Sequence, residues 1–359
     1  MKQTVESNRT LLVEGPASLR LVSGKAEMFS HQLKETVRIV VREGKRLPFF
    51  VLEKAIFDLS LGPNATIQDV GGSTIPPSWN IPLEAISGMP KRPLTVLILG
   101  KIDSGKSSYC NYLVNKLVDG KCRVAVLDGD IGHSDIGSSG TVAYATTSKQ
   151  ITELYNVKFQ NAFFVGTISP ITALPKTIEA LAIMKDEILN KNVDFILVNT
   201  DGWVTSDIAV RYKTALVNEV KPDIIVGLQV ENELEPLIAN LDSPVIMVEP
   251  SPSLTQRTAE KRKVLREMTY SKYLKGAKQQ FYYLSQVTIE PRNALPKNQA
   301  PEKGLLVGLY GSGNKFLGIG ILREINQTRK ALKVQTSVSA KPSRIVLGKV
   351  VLDKKFREI

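Results

Sequence analysis

The stretch Leu94 to Val114, LTVLILGKIDSGKSSYCNYLV, limits the fold more than any other part of the chain. Thr95 to Leu99 reads as a buried strand, and from Ser107 onward the apolar residues take helical spacing. Between them, Gly100-Lys101-Ile102-Asp103-Ser104-Gly105-Lys106-Ser107 satisfies G-x-x-x-x-G-K-[ST], the phosphate-binding loop, in the strand-loop-helix context that the motif requires. Glycines at both ends let the backbone curl until its N–H groups and the helix N-terminus face phosphate oxygens. Lys106 then bridges the β- and γ-phosphates, and the Ser107 hydroxyl is offered to Mg2+. A bound nucleoside triphosphate is expected.

A chain of 359 residues exceeds what one core normally supports, so two or three domains are expected, and an apolar content of 43% can fill each. The opening MKQTVESNRT has no apolar signal region, and no apolar run approaches the roughly 20 residues of a membrane helix. A cytoplasmic protein with no membrane partner is expected. Two cysteines, Cys110 and Cys122, give neither a disulfide framework nor a zinc set, so both are expected as reduced, buried thiols. His31 and His133 are too far apart in sequence to suggest an all-histidine metal site or a Ser-His-Asp hydrolase. The chemistry is left to Lys, Asp and Arg.

Residues 1–70 alternate and are rich in β-formers, as in Val37-Arg38-Ile39-Val40-Val41, which predicts a small N-terminal β domain. Residues 71–93 hold Pro76, Pro77, Pro82, Pro90 and Pro93 with little periodicity and read as a linker that wraps rather than folds. From 94 to 285 strands and helices alternate, with helices expected at 172–190 and 207–219 and strands at 123–127, 162–165, 194–199, 224–227 and 245–248. That alternation predicts an α/β P-loop NTPase core with a mostly parallel sheet and helices on both faces. Residues 286–359 return to β pattern, a C-terminal β domain.

Val126-Leu127-Asp128-Gly129-Asp130-Ile131-Gly132 puts two carboxylates just past the carboxyl end of a core strand, where ligands sit in open α/β sheets. One carboxylate can face Mg2+ while the other approaches a nucleophile. His133 suits a polar loop position as well as a phosphate or substrate contact. Asn199-Thr200-Asp201-Gly202-Trp203 follows another strand at the same edge, and Trp203 can either stack on a nucleobase or cap the core. The net charge of +12 favours a polyanionic partner, and half of it sits in 255–278, where eight Lys or Arg face two Glu. This segment should be helical, with few apolar residues to hold it on a core, and so reads as an arginine-rich lid over a transferring phosphate.

The ordered set Gly100-x-x-Asp103-x-Gly105-Lys106-Ser107-Ser108, Asp128-x-Asp130-x-Gly132, Thr200-x-Gly202-Trp203, and Arg257 with Arg262 resembles the polynucleotide 5′-hydroxyl kinase family. That family includes the RNA kinase subunit of eukaryotic pre-mRNA cleavage and tRNA splicing, the nucleolar rRNA-processing kinase and archaeal polynucleotide kinases. The resemblance implies transfer of the ATP γ-phosphate to a 5′-hydroxyl end of RNA, and of DNA as a further substrate, with RNA-processing proteins as partners. It implies an ATP site at Gly100, Asp103, Ser104, Gly105, Lys106, Ser107 and Ser108, with Mg2+ on Ser107 and Asp128. One of Asp128 and Asp130 orients or deprotonates the 5′-hydroxyl, Thr200, Gly202 and Trp203 clasp the terminal nucleotide with His133 nearby, and Arg257 and Arg262 close as the lid. The family usually has Gln where this chain has His133.

Two other readings compete. Lys101, five before Lys106, has the spacing of the signature lysine in deviant P-loop ATPases that dimerise as switches, although Ile102-Asp103 stands where those proteins carry two glycines. The chain could instead serve as an ATP-binding scaffold in an RNA-processing complex, which intact Asp130, Arg257 and Arg262 argue against.

Overall fold

The computed structural model describes residues 1–290, 303–326 and 328–359; residues 291–302 and 327, within the expected 286–359 β segment, lie outside the described residues. The chain divides into two compact units. The first comprises Met1–Leu127, Ala145–Lys158 and Lys185–Leu265, and the second Asp128–Tyr144, Phe159–Met184 and Arg266–Ile359.

The first unit opens with an antiparallel sheet in the order His31–Gln32, Ala17–Met28, Arg46–Leu61, Arg9–Glu14, Thr66–Gly71. Alternation builds it: Leu47, Phe49, Val51, Ala55, Phe57 and Leu59 of the longest strand are all buried, while their neighbours are more exposed. The P-loop strand Leu94–Gly100 is buried along its whole length because it runs parallel between Phe195–Thr200 and Ile224–Leu228. Val245–Val248 continues the sheet in parallel beyond Ile224–Leu228. The register sets Asn199 opposite Ile98 and Leu228 opposite Gly100, so the loops after these strands leave from one edge.

The proline-rich segment differs from the expected wrapping linker. Pro77–Trp79 forms a 3-10 turn leading into a helix, Asn80–Gly88. Pro77 and Pro82 fall in first turns, where no intrahelical N–H is required, so they start helix rather than prevent it. Trp79 is fully buried edge-on to Tyr109 at 5.1 Å and Tyr112 at 5.5 Å, and its indole N–H donates to the Glu249 carbonyl at 2.7 Å.

In the second unit, residues Thr141 to Tyr144 pair antiparallel with Asn161 to Phe164, a strand that the sequence reading did not anticipate at 141–144. A six-stranded sheet follows in the order Lys278–Tyr283, Ala331–Thr336, Phe316–Asn326, Leu305–Tyr310, Arg344–Val351, Thr288–Glu290. Val307, Leu309, Leu322, Leu332, Val334 and Ile345 form its core. The two helices expected from periodicity form at Leu174–Leu189 and Asp207–Val220. No described helix is long and apolar enough to cross a membrane. Cys110 is buried, but Cys122 is only half-buried, and neither is in a disulfide.

Candidate active site

The loop between Leu94–Gly100 and the helix Lys106–Asp119 turns through Gly105 at φ +95°, a left-handed conformation that suits glycine. No side chain caps that helix N-terminus and its first turn holds no acid, so its N–H groups and dipole suit an anion. Lys106, 7% exposed, donates to the carbonyls of Gly100 at 2.9 Å and Lys101 at 2.8 Å, folding its ammonium back over the loop. Ser104 is buried with its hydroxyl unpartnered, a polar atom inside the cradle that a bound anion would satisfy. A phosphate-sized anion therefore fits the residues present. Ser107 and Ser108 are half-buried in the first helical turn.

Asp103 does not turn its carboxylate towards a phosphate. It is 4% exposed and accepts the backbone N–H of Arg257 at 2.8 Å, the Arg257 guanidinium at 3.0 Å and that of Arg262 at 3.4 Å. The Arg262 guanidinium also donates to the Arg257 carbonyl. The basic helix begins at Ala259, so Arg257 lies just before it rather than within the helix expected over 255–278. Both arginines converge on the phosphate-binding loop.

The helix Ala259–Tyr273 is better anchored than its low apolar content suggested. In the first unit Lys261 pairs with Glu14 at 2.6 Å, Glu14 pairs with Arg46 at 3.0 Å, and buried Leu265 packs beside Gly44. The Lys261 ammonium, acting as hydrogen-bond donor, holds the Glu14 carboxyl below its ordinary range against the opposing effect of burial. In the second unit Arg266 makes a two-pronged contact with Glu358 at 2.6 and 2.7 Å, and buried Tyr270 donates to the same carboxylate at 3.3 Å. The segment before this helix carries Arg257.

The Thr200 to Trp203 turn also differs in detail from a nucleotide clasp. Thr200 is fully buried and its hydroxyl donates to the Ile98 carbonyl at 2.8 Å, so it fastens the turn to the P-loop strand rather than facing a ligand. Gly202 lies so close to the P-loop apex that a Cβ there would stand 2.5 Å from the Ile102 nitrogen. Half-buried Trp203 stacks one face on Tyr212, with ring centres 6.0 Å apart and planes at 29°. Sequence reasoning missed what fixes this turn. Asp201 accepts from Trp203 N at 3.0 Å and the Tyr212 hydroxyl at 2.9 Å, and pairs with fully buried Lys213 at 2.9 Å. The available signal was Asp201 inside the quoted motif, with Tyr212-Lys213 on the next helix.

In the second unit the two carboxylates of Asp128-Gly129-Asp130 are not equivalent. Asp128 is fully buried, and its Oδ2 accepts from Ser134 Oγ at 2.9 Å, Asp135 N at 2.7 Å and Ile136 N at 3.1 Å. Burial, then the Asp135 and Asp130 carboxylates, push its carboxyl up to about 6 despite these donors. Half-buried Asp130 accepts from Gly132 N at 3.1 Å and His133 N at 2.9 Å, so His133 contributes its backbone here. Among the described residues no group of three or more His, Cys, Asp or Glu gathers to hold a metal.

With this geometry in view, residues 100–276 match the family described as mRNA cleavage and polyadenylation factor CLP1 P-loop. The P-loop core is similar to that family over those residues. The polyribonucleotide 5′-hydroxyl-kinase of Pyrococcus horikoshii is 29% identical over 205 residues, 57% of this chain and 56% of that one. Its namesake from Pyrococcus abyssi is 28% identical over 239 residues, 66% of each chain. The polyribonucleotide 5′-hydroxyl-kinase Clp1 of Xenopus tropicalis is 25% identical over 296 residues, 77% of this chain and 67% of that one. The matches thus span 56% and 66% of the two archaeal relatives' own length. The Clp1p chain of a solved wild-type Clp1p–Pcf11p complex superposes with a TM-score of 0.78, covering 98% of this chain and 97% of that chain at 13% identity, which establishes a shared fold.

Proposed function

We propose that the protein is an ATP- and Mg2+-dependent polynucleotide 5′-hydroxyl kinase acting on RNA ends and also accepting DNA. The observation that carries this reading is the convergence of Arg257 and Arg262 on Asp103 of the phosphate-binding loop. A phosphoryl-transfer site needs positive charge placed beforehand around the moving group, and two guanidiniums beside the loop supply it. A dimeric switch ATPase has no need of that pair. Its signature lysine would serve across a dimer, whereas Lys101 here lies 3.7 Å from Glu233 of its own chain.

In this reading the loop from Gly100 to Ser108 cradles the triphosphate through its backbone N–H groups, and Lys106 leaves the Gly100 and Lys101 carbonyls for phosphate oxygens. Mg2+ would neutralise charge between the β- and γ-phosphates, with Ser107 as its protein ligand. Asp128, whose Oδ2 accepts three donors of its own loop, shapes the acceptor loop, and Mg2+ would be held by Ser107 instead. Asp130 holds the 5′-hydroxyl and takes its proton. Trp203 supplies a stacking face to the terminal base, and Arg257 and Arg262 exchange Asp103 for the transferring phosphate. We assign 1–70 as an N-terminal β domain and 286–359, joined by the strand Lys278–Tyr283, as a C-terminal β domain, with a core between them that carries the arginine segment about 255–278. A cytoplasmic location and RNA-processing protein partners belong to the same proposal.

The deciding experiment incubates the protein with γ-labelled ATP, Mg2+ and 5′-hydroxyl RNA or DNA oligonucleotides. Label at the 5′ end is expected. ATP hydrolysis indifferent to nucleic-acid ends would favour the switch, and ATP binding without turnover would favour the scaffold.

A further inference from the structure

The edge strand Lys278–Tyr283 alternates about its sheet: Tyr282 enters the core, whereas Phe281 and Tyr283 face outward, 62% and 54% exposed. Exposed rings two residues apart on an outermost strand are a liability, because they invite pairing with another chain. The charge around them is mainly positive, with Glu324 standing opposite Lys333 as the exception. Register places Lys333 opposite Phe281, and its ammonium lies 5.6 Å from the ring centre. Arg323 reaches the same face by donating to Gln335 at 2.9 and 2.8 Å, and Gln335 stands opposite Gln279. The segments 275–283 and 323–335 carry six basic residues, Lys275, Lys278, Arg323, Arg329, Lys330 and Lys333, against one acid, Glu324.

We infer that this face is a stacking platform for single-stranded RNA, engaging the body of the strand rather than its 5′ end. The occupant follows from the combination of groups. Six basic residues against one acid leave these two segments with an excess of five positive charges, which disfavours a second copy of the same face and attracts a polyanion. Rings two residues apart stand about 6.8 Å from one another along a strand, far enough for each to stack on a different base of an extended chain. Stacking needs no base-specific hydrogen bond, so the platform would accept any sequence, as a general end-modifying enzyme requires. This inference rests on RNA being the substrate of the proposed reaction.

The test measures binding of fluorescein-labelled 12-nucleotide oligouridylate by anisotropy, with the full chain and with Phe281→Ala, Tyr283→Ala and the double variant. This readout needs no phosphoryl transfer, so it stands apart from the kinase assay. Each substitution is expected to raise Kd about tenfold, within the range for losing one base–aromatic stack. Phe281→Trp should restore affinity, which repair of a merely structural defect would not do. Lys333→Gln should weaken binding and lower the slope of log Kd against log salt by about one. Unchanged Kd in the double variant overturns the platform. So does a double variant that turns a self-associating protein into a monomer in sedimentation while its RNA affinity stays the same, because the face would then join copies of this chain.

Discussion

Replacing Asp103 by Asn removes one negative charge from beneath two arginines while keeping the side chain's shape. The carboxylate, 4% exposed, accepts three donors: Arg257 N at 2.8 Å, Arg257 Nη1 at 3.0 Å and Arg262 Nη1 at 3.4 Å. Charge-assisted hydrogen bonds contribute about 1.5–3 kcal/mol each, but both guanidiniums are 28% exposed and water compensates part of the loss. A double-mutant cycle in urea should therefore give a coupling of about 1–2 kcal/mol between Asp103 and Arg257, and less for the longer Arg262 contact. In the proposed reaction the kinetic consequence should exceed the stability change, since the arginines would act on the transition state. Asp103→Asn should lower kcat about 10- to 100-fold with little effect on KM for ATP, because the guanidiniums lose the mount that places them. Arg257→Ala and Arg262→Ala should each cost about 1,000-fold in kcat, and adding Asp103→Asn to that pair should cost almost nothing more. The assay is steady-state phosphorylation of a 5′-hydroxyl oligonucleotide at two ionic strengths. Losses that simply multiply, or an effect confined to a salt-sensitive oligonucleotide KM with normal kcat, would refute the reasoning and leave the arginines as a nucleic-acid rail.

Lys106→Ala should abolish phosphoryl transfer while circular dichroism and melting temperature stay close to the parent's, since its hydrogen bonds to the Gly100 and Lys101 carbonyls are made within the loop. Asp130→Asn should lower kcat with normal stability. Asp128→Ala, which strands three buried donors, should cost about 3–5 kcal/mol by chemical denaturation, and equal stability losses at the two positions would contradict the division of roles. Trp203→Ala should raise the oligonucleotide KM with the ATP KM unchanged, and a variant that unfolds would return Trp203 to a packing role. The Glu14 carboxyl is held below its ordinary range, so its share of stability is fully present above the unfolded value of 4.5 and is lost as pH falls through the lower folded value. Glu14→Gln should flatten that part of the acid-unfolding curve monitored by fluorescence.

Where one interaction dominates locally, sequence was enough. The P-loop strand, its helix and the helices near 172–190 and 207–219 each follow from a period that burial enforces along the whole element. The proline-rich segment was misread because composition does not say where in a turn a proline falls, and Pro77 and Pro82 fall where helices tolerate them. A low apolar content predicts a loosely held basic helix, yet its charged side chains find partners distant in sequence, Lys261 with Glu14 and Arg266 with Glu358. Thr200 shows the same limit at the site. Its motif is legible, yet whether its hydroxyl faces a ligand or the Ile98 carbonyl depends on strand register, which no local pattern contains.

An acid inside a phosphate-binding loop is an electrostatic cost, since it opposes the charge of the ligand. The geometry around residues 101–103 gives it a use. Lys101 lies against Glu233, Ile102 is in contact with Gly202 of the Trp203 turn, and Asp103 holds Arg257 and Arg262. Three successive residues at the loop apex thus each engage a different segment of the chain. A triphosphate that draws Lys106 off the loop carbonyls and settles on the loop N–H groups must alter these contacts together. The negative charge it brings competes with Asp103 for the guanidiniums. Once they turn to phosphate, Asp103 loses its partners, so arginine closure and phosphate binding are coupled through one carboxylate. The Trp203 turn is tied to the same apex by a glycine contact too close for any side chain. Occupancy of the nucleotide loop is therefore expected to bias the turn proposed to hold the acceptor, and acceptor binding to bias the loop in return.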